Sequence, residues 1–199
     1  MIASKQKLVG LFQGEWWKKT VFDHGGHGND DSGEAVCALE ALNFALRGEV
    51  TDSLPCGARP TMGVLITIND MRDWWKSDKE RTTYLKPWVE KFAMLPKNAK
   101  VEYRAVLAAV DYLARTVLKL DVPPVVSGTD AGVLVEQFGD HSSIYWAAYW
   151  ASEGNSDMSA TSVASAIDQE AELYRRSRRA ARAFRKKHIT RVLEILTEK

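Results

Sequence analysis

Apolar residues recur at steps of three and four along most of this chain. Between Lys100 and Leu120 the series Val101, Ala105, Ala108, Ala109, Tyr112, Leu113, Thr116, Val117 and Leu120 lays one apolar stripe along a helix of 3.6 residues per turn. A second stripe, Ala35, Ala38, Leu39, Leu42, Ala45 and Leu46, predicts a helix over 34–47. Its flank of Val36, Glu40, Asn43 and Arg47 is mostly polar, and Gly48 suits a C-cap. Asp31 and Glu34 have the spacing of a capping box for its start. The glycine-rich segment before it, Asp23 to Gly33, reads as a loop.

Pro60 opens a further helix reaching to about Trp75. Within it Val64–Ile68 is β-rich, so a buried strand is the competing local reading. Ser77 or Asp78 caps the next helix, which Pro87 should break or kink near Leu85–Lys86. Short helices follow at about 130–138 and 142–151. The first 22 residues fit a short helix or an extended arm equally well. From Asp157 or Ser159 to Leu196 there is neither Gly nor Pro. Ala164, Ile167, Ala171, Tyr174, Ala181, Phe184, His188, Val192 and Ile195 share one side there, predicting one long helix or two broken near Lys187–Thr190. The expectation is an all-α fold: a single helical domain of about seven helices. Residues 1–156 form the body, and 157–199 a long basic segment packed on it or in a self-association interface.

Charge sharpens this picture. The net charge is +1, but 174–199 holds ten Lys/Arg and two acids, while the remainder carries 17 basic and 24 acidic residues. A basic tail on an acidic body has a partner, internal or external. Docking on the protein itself or on a second copy is the first reading. Nucleic acid is the second and a membrane surface the third, all through Arg175, Arg178, Arg179, Arg182 and Arg185. No stretch approaches the roughly 20 apolar residues that span a bilayer. The opening segment lacks the apolar core of a signal peptide. Two cysteines make no disulfide framework, so the expected setting is cytoplasmic and reducing. Seven tryptophans are read first as core filling and second as a stacking platform.

Three constellations could carry chemistry. Cys37 at a helix start, with His141 downstream behind Asp140, has the ingredients of a thiol nucleophile and its base. A small buried core thiol is the plainer reading. Cys37, Cys56, His24 and His27 are zinc-type ligands, but no Cys-x-x-Cys pair supports a metal site, and no metal is expected. Glu40, Asp52, Asn69 and Asp70 form a polar set that meets if the helices over 34–47 and 60–75 pack antiparallel. Such a set is a structural network or the wall of a binding site. Phosphate-loop, dinucleotide, GxSxG and HExxH motifs are absent, and no cofactor is implied.

Gly33 to Ala41, Thr51 to Pro60 with its Pro55-Cys56, and Ile68-Asn69-Asp70 resemble a family of helical proteins from actinobacterial and phage genomes. Those share a Cys-x-x-Glu-Ala helix start, a Pro-x-Cys loop and a Trp-Asn-Asp turn; Ile68 stands here for the tryptophan. The likeness covers roughly residues 33–95, with a looser echo at Tyr145–Ala151. It implies that Cys37, Glu40, Cys56, Asn69 and Asp70 belong to one feature, and it implies no particular chemistry. The expected function is a non-catalytic binding protein, a phage accessory or host-defence-interfering protein. Its target would be a nucleotide-like ligand or a host protein, and it would form a homo-oligomer. The alternatives are a nucleic-acid-associated protein using the basic helix and a cysteine enzyme using Cys37.

Overall fold

The computed structural model describes residues 5–23, 35–48, 59–71, 74–140 and 142–198. Helix dominates. In chain order the described elements are α1 (Lys5–Gln13), α2 (Glu15–Lys19), β1 (Val21–Phe22), β2 (Ala35–Val36), α3 (Ala38–Arg47), α4 (Pro60–Asp70) and α5 (Asp78–Met94). Then come α6 (Ala99–Tyr112), α7 (Gly128–Phe138), α8 (Tyr145–Ser152), α9 (Ser156–Glu172) and α10 (Arg178–Ile195). A π-helical turn, Leu113–Val117, continues α6. The described residues thus contain ten α-helices, where about seven were expected. The additional three are α1, α2 and the division of the C-terminal segment.

That division falls at Leu173–Ser177, not near Lys187–Thr190. The Ser177 side chain accepts the Ala180 N–H and starts α10, and Arg175, Arg176, Arg178 and Arg179 crowd like charges around the junction. The expected break at Pro87 does not occur. α5 runs through it, at an exposed position where solvent can satisfy the carbonyl that proline leaves without a donor. Val64–Ile68 is helical.

The chain divides into two compact units, Met1–Gly57 with Ile68–Pro96, and Ala58–Thr67 with Lys97–Lys199.

In the first unit α3 and β1 pack on α5. Leu39, Leu42, Leu85, Phe22 and Phe92 are fully buried, each contributing roughly 1.5–3 kcal/mol by leaving water. Val21 and Phe22 pair in parallel with Ala35 and Val36, and Thr82 on α5 accepts the Phe22 N–H at 2.8 Å. Lys86 donates to the carbonyls of Trp17 and Lys18 at the end of α2. Trp17, Trp74 and Trp75 are buried, so these three fill the core. α3 ends at Gly48, whose φ of 81° favours glycine.

In the second unit α7, α8 and α9 pack in sequence, and α6 and α10 pack on α9. α10 is docked: Ala181, His188, Ile189, Val192 and Leu193 are buried. Arg185, 3% exposed, pairs with Asp168 at 2.5 Å and Glu172 at 2.6 Å on α9. Gly63 on α4 lies against α9, where a Cβ would stand 2.2 Å from Thr161 Oγ1 and 2.8 Å from the Asp157 carbonyl oxygen. The hydroxyl can rotate away, but the backbone oxygen cannot. Gly63→Ala should therefore lower stability by about 1–3 kcal/mol despite alanine's better helix propensity, read as a drop in the urea midpoint.

His188 is buried, and its Nδ1 is 2.8 Å from the Tyr112 hydroxyl. Burial, then the neighbouring Lys187 charge, lowers its pKa. The unfolded chain therefore binds the proton more readily, so this contribution is present above about pH 6.5 and is lost as pH falls below it. His188→Gln should show a smaller fall in urea midpoint between pH 7.5 and 5.5 than the parent.

Candidate functional site

The polar residues of the first unit converge on the start of α3. The helix begins at Ala38, four residues later than expected, and residues 35–36 are strand. Cys37 is therefore the N-cap and not a residue inside the helix. Its backbone N–H donates to Glu40 Oε2 at 2.7 Å, and its Sγ accepts the Glu40 N–H at 3.4 Å. This is a capping box with a thiol in the usual hydroxyl's place. It accounts for the Cys-x-x-Glu spacing: the side chain that closes the box must sit three residues past the cap. Asp31 and Glu34, to which the sequence assigned that role, lie outside the described residues.

Asn69, near the end of α4 and 1% exposed, joins the same point. Its Oδ1 accepts the Ala38 N–H at 3.4 Å. Its Nδ2 donates to the Asp23 carbonyl at 3.2 Å and to Asp70 Oδ1 at 3.1 Å. One amide thus ties the exit of β1, the first turn of α3 and the C-terminal residue of α4. Of the residues singled out in the sequence, Cys37, Glu40, Asn69 and Asp70 are together here. The route differs from the antiparallel pairing anticipated, because the helix packed along α3 is α5. Asp52, Cys56, His24, His27 and His141 lie outside the described residues.

Two members of the cluster were not anticipated. Arg81, in the first turn of α5, is 3% exposed and pairs through Nη1 with Asp78 at 2.9 Å. Burial lowers its pKa, and the carboxylates of Asp78, Asp23 and Asp70 oppose that shift, which places all three near the guanidinium. Asp23, at the exit of β1, donates its N–H to the Val36 carbonyl. Asp23 Oδ1 and Arg81 Nε are both buried without a hydrogen-bond partner. Each such atom costs on the order of 1–3 kcal/mol. The only hint in the sequence is an arginine directly after a serine-capped acidic first turn, a pattern shared by many exposed arginines.

Burial also sets the state of the Cys37 thiol. The thiol is 7% exposed, and its pKa is pushed up to about 12. Desolvation is the main cause and the Glu40 carboxylate adds to it, outweighing the backbone hydrogen bonds that favour the thiolate. A helix start lowers a thiol pKa only when the sulfur is solvated or faces a cation. Among the described residues no group of His, Cys, Asp and Glu is placed to hold a metal ion, and no helix is long and apolar enough to cross a membrane. Of the five arginines in the expected basic patch, Arg185 is withdrawn into the α9 ion pairs. Arg182 is half-buried, and Arg175, Arg178 and Arg179 are exposed.

No protein-family model matches this chain, and no curated protein or solved structure matches it either.

Two measurements check this geometry. In a Cys56→Ser background, Cys37 should resist iodoacetamide at pH 8 in the native protein and react once urea unfolds it; fast native alkylation would contradict the buried, protonated thiol. Asn69→Ala should lower stability by about 2–4 kcal/mol, since it strands the Ala38 donor and the Asp23 carbonyl together, read as the loss in urea unfolding free energy.

Proposed function

We propose that this chain is a non-catalytic binding protein. Its first unit recognises the uncharged edge of a small planar ligand, nucleotide-like in its base, at the cluster of Asp23, Asn69, Asp70 and Arg81. One observation carries the reading: a buried acceptor, Asp23 Oδ1, and a buried donor, Arg81 Nε, stand unpartnered in the same cluster. A nucleobase edge presents a donor beside an acceptor and would satisfy both. The surrounding carboxylates disfavour phosphate, so the base and not the phosphates would be the recognised part. The buried Cys37 thiol, its pKa raised, favours a binding role over a cysteine enzyme. The likeness to actinobacterial and phage proteins fits a small accessory role, in which such a ligand would be sequestered or sensed.

The test is calorimetric titration of the full chain with free nucleobases, nucleosides and nucleoside monophosphates. At least one base should bind, and its nucleoside should bind more tightly than its monophosphate. Asp23→Asn and Arg81→Lys should each weaken binding by about tenfold or more, the loss of one buried hydrogen bond to a charged group. No binding of any base at millimolar concentration, or affinity unchanged in both variants, would overturn the reading.

A further inference from the structure

The second unit holds a surface of different chemistry, independent of the first unit's cluster. α8 reads Tyr-Trp-Ala-Ala-Tyr-Trp-Ala-Ser. Ala147, Ala148 and Ala151 are fully buried, and Ser159 on α9 donates to the Ala147 carbonyl at 2.7 Å. The small residues are the packing face.

The four aromatics lie outside that face. Trp146 is 49% exposed, and Tyr145, Tyr149 and Trp150 are partly exposed. Their rings are ordered against one another. Tyr145 and Tyr149 are 6.0 Å apart and 7° from parallel, and Trp146 and Trp150 are 6.4 Å apart at 28°. Edge-on contacts between the two pairs lock the row. Four large aromatics within six residues, none fully buried, are more than packing needs.

The basic turn opens at the same end of the unit. Ser143, just before α8, donates to Glu170 Oε1 at 3.3 Å, and Glu170 lies three residues before the α9–α10 turn. That turn presents Leu173, 77% exposed, and Tyr174, 45% exposed. Arg175, Arg176, Arg178 and Arg179 follow, all exposed. The arginines further along α10 differ: Arg185 is buried in its ion pairs, and Arg191 pairs with Glu194 and Glu198. The positive charge of the tail is thus answered by protein at those positions and presented to solvent at the turn.

We propose that this end of the unit binds single-stranded nucleic acid, with bases stacked on the α8 aromatics and phosphates held by the arginines of the 173–179 turn. Stacking rings beside a cationic track are the two elements such binding uses, and neither requires sequence. A duplex keeps its bases stacked on each other and offers nothing to the aromatic row. An anionic membrane would use the charge, but has no need of ring pairs held parallel.

The experiment is anisotropy titration of a labelled oligo(dT) of about 20 nucleotides with the full chain at several salt concentrations. The parent should bind, with log K falling against log salt at a slope of about −3 for four phosphate contacts on a single strand. Replacing Arg175, Arg176, Arg178 and Arg179 together by Gln should abolish most of that slope. Trp146→Ala should weaken binding about tenfold while leaving the slope intact. Both variants alter exposed positions, and unchanged circular dichroism will confirm that they fold. No binding at low salt, equal affinity for duplex of the same length, or capture by phosphatidylserine vesicles without oligonucleotide binding would each overturn the proposal. So would variants that bind as the parent does.

Discussion

The first unit depends on a buried amide. Asn69 uses both its N–H donors and one lone pair of its carbonyl, on two segments distant in sequence and on the adjacent Asp70. The Ala38 N–H and the Asp23 carbonyl would otherwise be a donor and an acceptor with nothing to bond. Backbone pairing cannot do this here, because β1 and β2 are two residues each and the start of α3 leaves orphan N–H groups. Glu40 takes the Cys37 N–H and Asn69 takes the Ala38 N–H, so the first turn of α3 is closed by two side chains from different helices. Around this clasp the apolar residues of α3 and α5 can pack in one register.

The same arrangement sets the chemistry. Closing α3 with a thiol and a carboxylate buries both, and burial keeps the thiol protonated. Beside this closure, Asp23 Oδ1 and Arg81 Nε are an acceptor and a donor without a hydrogen-bond partner. The second unit follows another logic: its helices pack through alanines and small residues, as at Ala147, Ala148, Ala160 and Ala164. That close packing displaces the aromatics of α8 to the outside. Arg185 is the exception that joins the two kinds of interaction, a buried cation held by two carboxylates of the neighbouring helix.

Much of the helical architecture was legible in the sequence because amphipathic spacing is a local property. The stripe over 100–120, the Ser77 cap and the Gly48 terminus are all set by neighbours within a turn. The N-terminal arm was ambiguous because α1 and α2 are short and hold their place through Trp17 and Lys86, contacts to α5 some 70 residues away. The start of α3 was misplaced because the capping-box spacing occurs twice in succession, at Asp31–Glu34 and at Cys37–Glu40, and only strand pairing at Ala35–Val36 decides between them. Pro87 misled because its cost depends on whether the freed carbonyl meets solvent. At the site, Cys37, Glu40, Asn69 and Asp70 could be grouped from the sequence. Arg81 could not, since nothing local distinguishes a buried arginine from an exposed one.

Asn69 closes the first turn of α3. Amide hydrogen exchange of the native protein, resolved by NMR, reports on it most directly. The Cys37 and Ala38 amides should be protected to the same degree as Leu42 in the middle of α3. In Asn69→Ala, Ala38 should lose more protection than Leu42. Ala38 exchanging at the rate of an open chain in the parent, or losing no more than Leu42 in the variant, would contradict it.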